Sequence, residues 1–231
     1  MRAMILAAGR GERMRPLTDH CPKPLLPVAD KPLIVYHLER LAKAGFKEIV
    51  INHAHLGGHL VAALGSGAQW GLAITWSAEP VGALETAGGI RQALHHLDAG
   101  DDAPFLVING DIYCDWTMRP ITLAAHDLAH LVLVNNPPQH PAGDFVLQDQ
   151  RVFDKTASAR NTLTFAGIGA YRPSLFKELT AGEPAKLAPL LRAAMTRQRV
   201  SGEHHTGRWE DVGTPERLVS LDTELRSLAA K

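Results

Sequence analysis

Gly9 and Gly11 follow the short apolar run Met4–Ala8, and cations crowd around them: Leu6 to Val28 reads LAAGRGERMRPLTDHCPKPLLPV. Glycine lets the backbone approach a bulky anion closely, and successive N–H groups in such a loop can point at phosphate oxygens. Arg10, Arg13 and Arg15 add charge, and Arg13 or Lys23 is long enough to reach a polyphosphate directly. Pro22 and Pro24 flank Lys23 with fixed φ and so hold an otherwise floppy lysine in place. Two carboxylates stand at comparable positions further on. Asp111 follows the most apolar run of the chain, PFLVI, and Asp211 precedes the helix opening VGTP.

Two common phosphate motifs are excluded. The loop Gly9–Met14 lacks the third glycine of the dinucleotide fingerprint and carries long side chains where that motif needs close helix packing. No GxxxxGK[ST] occurs, which excludes a P-loop. The twelve histidines include His55 and His59 at i, i+4 spacing and the adjacent pairs His95–His96 and His204–His205. No third ligand falls at motif spacing and no HExxH occurs, so the pattern does not point to zinc.

The elements that must position these residues alternate. AMILAA, EIVIN, LAITWS, PFLVI and HLVLVN read as strands. Between them the periodicity predicts helices over PLIVYHLERLAKAG, near His59–Leu64, over Glu85–Leu97 and near Trp116–His126. Such a rhythm implies a mostly parallel sheet with helices on both faces, with ligands outside the carboxyl ends of the strands. Beyond Asn136 the segments DFVL, RVF and TLTFAGIGAYR suggest antiparallel strands, followed by helices near Ser174–Leu179 and Leu187–Thr196 and a strand near Val200. A last helix opens on Thr214 as cap, with Pro215 and Glu216 in its first turn.

Length and composition set the class. At 231 residues, 45% hydrophobic and 21% charged, one α/β domain spanning 1–231 is expected. Lys plus Arg and Asp plus Glu both number 24, so nothing global calls for nucleic acid or an anionic membrane, and anion attraction must be local. Cys21 and Cys114 read as free thiols in a reducing compartment. With no signal-like start and no run long enough to span a bilayer, the expectation is a cytoplasmic protein, monomeric by default.

The segment LAAGRGERMRPLTDHCPKPLLPV resembles the signature of the sugar-1-phosphate nucleotidyltransferases. Further resemblance runs through EPVGALETAGGI, FLVINGD, FDK, AGIGAY and WEDVGTP, in the family's order and across nearly the whole chain. It implies a Rossmann-like three-layer α/β fold with a small antiparallel sugar-binding extension. Residues 1–136 would then bind mainly the nucleotide, and 137–231 mainly the sugar and supply the closing helix. The implied activity is attack of a sugar-1-phosphate on the α-phosphorus of a nucleoside triphosphate, expelling pyrophosphate.

The resemblance also implies site residues. Ala7, Ala8, Gly9, Gly11 and Glu12 would wrap the triphosphate, Arg13 would grip it, and Lys23 would contact the reacting phosphate. Glu79, Gly82 and Thr86 would meet the base or ribose, although a Glu79 that merely caps its turn fits the sequence as well. Asn109, Gly143, Asp154, Lys155 and Asn161 fall where the family meets the hexose, with Lys155 on its phosphate. Asp111 and Asp211 would hold Mg²⁺, with Asp115, Glu210 and Asp144 as competing carboxylates. Glu12 stands where hexose-type relatives usually carry a small hydroxyl residue, and Glu85 where many have glycine. These departures favour a recycling-type uridylyltransferase, while mannose-1-phosphate guanylyltransferases share much of LETAGG and NGD.

Overall fold

A computed structural model describes residues 1–80, 84–156 and 159–229. The chain runs through β1 (Ala3–Leu6), the short ribbon β2 (Pro27–Val28) and β3 (Lys31–Pro32), α1 (Leu33–Lys43), β4 (Glu48–His53), α2 (Gly57–Leu64) and β5 (Ala73–Ala78). It continues with α3 (Glu85–Leu97), β6 (Phe105–Asn109), β7 (Ile112–Cys114), β8 (Ala129–Val134), β9 (Phe145–Gln148) and β10 (Arg151–Asp154). It ends with β11 (Thr162–Tyr171), α4 (Leu187–Met195), β12 (Val200–His205), β13 (Trp209–Asp211) and α5 (Pro215–Ala229).

Among the described residues, nine strands form one sheet in the order β5-β4-β1-β6-β11-β8-β12-β10-β9. The first four are mutually parallel, as the alternation of strand and helix requires. Strand β11 then enters antiparallel between β6 and β8, in the middle of the sheet. Strand β9 pairs with both β10 and β11, so the far side of the sheet curls back on itself. This hairpin and its curl are the small antiparallel extension.

Alternate residues of the central strands feed two cores. Ala3, Ile5, Ile49, Ile51 and Ile108 pack against Ile34, Leu38 and Leu41 of α1 and Leu60 of α2. Met4, Val50, Phe105 and Val107 pack on the opposite face against Ile90 and Leu94 of α3 and Leu191 of α4. Burial on both faces explains why these strands read as unbroken apolar runs. A third cluster, with Met14, Val28, Leu33, Val212 and Leu221, seats α5 against the first loop.

Two expected helices differ. Residues 116–126 form no helix: the segment runs irregularly with Trp116, Met118, Ile121 and Leu123 buried. Pro120 lies within it and would remove a helical hydrogen bond. Trp116 Nε1 instead donates to Glu203 at 3.0 Å and Arg119 pairs with the same carboxylate at 2.8 Å. Near Ser174 only a single 3₁₀ turn, Pro173–Phe176, forms. The Thr214 cap is present, with its Oγ1 accepting the Arg217 N–H at 3.4 Å.

Candidate functional site

Strand register builds the site. Leu6 at the end of β1 pairs with Asn52 of β4 on one side and Asn109 of β6 on the other. The loops beginning at Ala7, Ala54 and Gly110 therefore emerge together at the carboxyl edge of the sheet. Asp111 is the second residue of its loop. The two-stranded ladder of β7 and β13 pairs Asp211 with Ile112, and Val212 N–H donates to Asp111 C=O at 3.1 Å. Two carboxylates distant in sequence thus become neighbours by backbone pairing.

Each carboxylate already meets a cation. Lys23, 8% exposed, places Nζ 2.7 Å from Asp111 Oδ2. Arg217 donates from Nη1 to Asp211 Oδ2 at 2.9 Å and to the Asp211 carbonyl at 2.7 Å. The Arg13 guanidinium comes to the same spot: a Cβ built on Gly213 would stand 3.0 Å from Arg13 Nη2 and 2.7 Å from Arg217 Nη2.

The first loop is pinned by its own side chains. Gly11 takes φ +70°, and Thr18 Oγ1 donates to its carbonyl at 2.9 Å. Arg10 donates to Thr18 C=O at 2.8 Å and to Asp19 at 3.0 Å, while Arg15 donates to the same Asp19 oxygen at 2.8 Å. Arg10 foremost holds the Asp19 carboxyl below the usual range. Arg10 and Arg15 therefore brace the loop. Glu12 is exposed between them, 3.7 Å from Arg10 Nε and 3.9 Å from Arg15 Nη1.

A cleft of three adjoining chambers lies along this edge. The first, about 410 Å³, is lined by Ala7, Ala8, Gly9, Lys23, Asn52, Glu79, Glu85, Thr86, Asn109 and Asp111, among others. Asn52 organises it: its Oδ1 accepts the Ala7 N–H at 2.8 Å and its Nδ2 donates to Glu79 at 2.5 Å. The other Glu79 oxygen accepts the Leu84 N–H at 3.0 Å, so Glu79 does cap its turn while lining the chamber. Gly82 lies outside the described residues.

The second chamber, about 280 Å³, shares Glu85, Thr86 and Asn109 with the first and adds Asp144, Phe145, Phe165, Lys186 and Leu191. The third, about 310 Å³, holds Asp111, Asp211, His140, Gly167 and Trp209. At the β11 bulge Gly167 takes φ +75°, and a Cβ there would sit 2.7 Å from Asn109 Nδ2, so glycine makes room for Asn109.

The remaining expected sugar residues, Gly143, Asp154, Lys155 and Asn161, are not among those lining these chambers, although Gly143 directly precedes Asp144 of the second. Lys155 donates to the carbonyls of Ala142 and Gly143, Asp154 pairs with Arg192 at 3.1 Å, and Asn161 is exposed ahead of β11. Among the competing carboxylates, Asp144 pairs with His140 at 2.9 Å and Asp115 with His205 at 2.7 Å. Burial pushes Glu210 up. Asp115, His205 and Cys114 bring their ligand atoms within 4.8 Å of one another, but burial pushes the Cys114 thiol up to about 11.

Sequence reasoning missed Asn52 and Arg217. A polar residue closing the apolar strand EIVIN carries the same signal as Asp111 after PFLVI, so Asn52 was within reach. Arg217 reads in sequence as an ordinary solvent-facing residue of an amphipathic helix.

Among curated proteins, the chain is 55% identical over 223 residues to an N-acetylmuramate alpha-1-phosphate uridylyltransferase of Neisseria meningitidis, covering 94% of this chain and 95% of that protein. It is 35% identical to one of the same name from Caulobacter vibrioides, covering 96% of each. A mannose-1-phosphate guanyltransferase of Candida albicans is 28% identical, with this chain spanning 63% of its length. The fold matches a solved structure of a proposed glucose-1-phosphate thymidylyltransferase from Bacillus anthracis, with TM-score 0.82, 22% identity and coverage of 98% and 96%. The Nucleotidyl transferase family matches residues 2–227, and the chain belongs to that family.

Proposed function

We propose that the protein transfers a uridylyl group from UTP to N-acetylmuramate α-1-phosphate, giving a UDP-sugar and pyrophosphate. The 55% identity along nearly the whole chain to a protein of that name carries this reading. The cleft supplies its physical support.

The nucleophile is a phosphate oxygen that is already an anion at neutral pH, so no general base is needed. It forms a bond to the α-phosphorus as the bond to the β-phosphate bridging oxygen breaks, and that electron pair leaves with pyrophosphate. The obstacle is repulsion between two anions. Backbone N–H groups at Ala8–Gly11 receive the triphosphate, and Lys23 offsets charge at the phosphorus under attack. Arg13 and Arg217 place further positive charge beside Asp211. Much of the remaining acceleration comes from holding the reactants in line.

Asp111 and Asp211 suit Mg²⁺: both are hard oxygen donors, both line one chamber, and in each the side-chain contact with its cation is made by Oδ2. Mg²⁺ bound there supplies charge neutralisation at the phosphates and the leaving pyrophosphate. No helix among the described residues is long and apolar enough to cross a membrane. On this reading the protein works in the cytoplasm, on two small-molecule substrates and without nucleic acid.

The test is pyrophosphate release over UTP, GTP, dTTP, CTP and ATP against several sugar-1-phosphates in Mg²⁺. UTP with N-acetylmuramate α-1-phosphate should give the highest kcat/KM. GTP with mannose-1-phosphate leading instead would replace the proposal.

A further inference from the structure

The second chamber contains a cation that the transfer chemistry does not use. Of the lysines lining the cleft, Lys23 is committed to Asp111, whereas Lys186 makes no ion pair or hydrogen bond with any described residue. Lys186 immediately precedes α4, beside a wall of Phe145, Phe165, Leu187 and Leu191.

The phosphate chamber opens onto the Lys186 chamber. Thr86 and Asn109 line both the phosphate chamber and the Lys186 chamber. A sugar phosphate with its phosphate near Lys23 and Asp111 has room to extend its ring past these two residues towards Lys186. The chamber's other charges do not cancel the ammonium. Asp144 accepts the Phe165 N–H at 2.9 Å and pairs with His140. Glu85 lies at the junction with the phosphate chamber, lining both, and no oxygen of it comes within ion-pair distance of Lys186.

N-acetylmuramate differs from N-acetylglucosamine by a lactyl ether whose carboxylate is its one added charge. Resting on the substrate proposed above, we infer that Lys186 reads this carboxylate and is the specificity-determining residue for the acidic sugar. Lys186 is exposed, so an ammonium–carboxylate pair there is partly screened by water, but a neutral hexose leaves the ammonium solvated and gains nothing from it.

The experiment compares the native enzyme with Lys186→Met and Lys186→Arg, using UTP and either N-acetylmuramate α-1-phosphate or N-acetylglucosamine α-1-phosphate as substrate or competitive inhibitor. Lys186→Met should lower kcat/KM for the acidic sugar about tenfold or more, mainly through KM. It should leave the neutral sugar's KM or Ki within about twofold, and Lys186→Arg should recover most of the loss. Equal losses for both sugars would mean that Lys186 serves the shared phosphate, and no loss would mean that it reads nothing; either overturns the inference. Failure of the native enzyme to use N-acetylmuramate α-1-phosphate would overturn the substrate assignment itself, and this inference with it.

Discussion

Lys23 Nζ and Asp111 Oδ2 meet at 2.7 Å although 88 positions separate them in the chain. Lys23 comes from the proline-flanked turn after the glycine-containing first loop, and Asp111 from the loop that follows the central strand β6. The lysine is nearly buried while the aspartate side chain is 37% exposed. Removing the lysine therefore leaves a carboxylate that water can still reach. Lys23→Met should cost about 1–2 kcal/mol of stability at most while reducing turnover about 10²- to 10³-fold. Thermal melting beside steady-state pyrophosphate release checks both halves, and a variant turning over at near-native rate would remove Lys23 from the chemistry.

Gly213 offers a finer probe of the second carboxylate. A methyl group there would stand 2.7 Å from Arg217 Nη2, 3.0 Å from Arg13 Nη2 and 3.1 Å from Asp211 Oδ2. All three are ends of side chains, so the fold can yield while the charges are displaced. Gly213→Ala should change stability by less than about 1 kcal/mol yet lower kcat/KM about tenfold or more, since small misplacements in an active site are costly. A native rate in this variant would mean that the guanidinium pair need not hold its position.

Much of this arrangement was legible in the sequence because the apolar runs were buried on both faces and turn residues bounded them. Gly9, Lys23 and Asp111 all sit where a strand has just ended or a proline fixes the backbone, which are local signals. What escaped depended on non-local pairing. The entry of β11 between β6 and β8 is invisible in its own composition, because either neighbour could hydrogen-bond to it. Arg217 gains its role only because the β7–β13 ladder brings Asp211 beside Asp111. The false helix at 116–126 arose from apolar spacing, while its buried Trp116 was satisfied by Glu203, a partner far along the chain.

His37 on α1 gives a prediction about pH. Its ring is fully buried, and among the described residues neither nitrogen has a hydrogen-bond partner of normal geometry. Burial, then Arg40, lowers its pKa from 6.5 to about 4, against smaller opposing effects of the Ile112 backbone and Asp111. Between those values the unfolded chain takes up a proton that the native ring refuses. Stability attributable to this residue is therefore present above pH 6.5 and declines as pH falls towards 4, a loss on the order of 1–3 kcal/mol. Glu203, lowered to about 2 chiefly by His130, acts below its ordinary 4.5 and so in a separate window. Chemical denaturation from pH 7 to 4.5 should show the native protein weakening progressively. His37→Leu should flatten that slope and be no less stable at pH 7, because it removes two unpaired polar atoms from the core. An unchanged slope in the variant would place the pH sensitivity elsewhere.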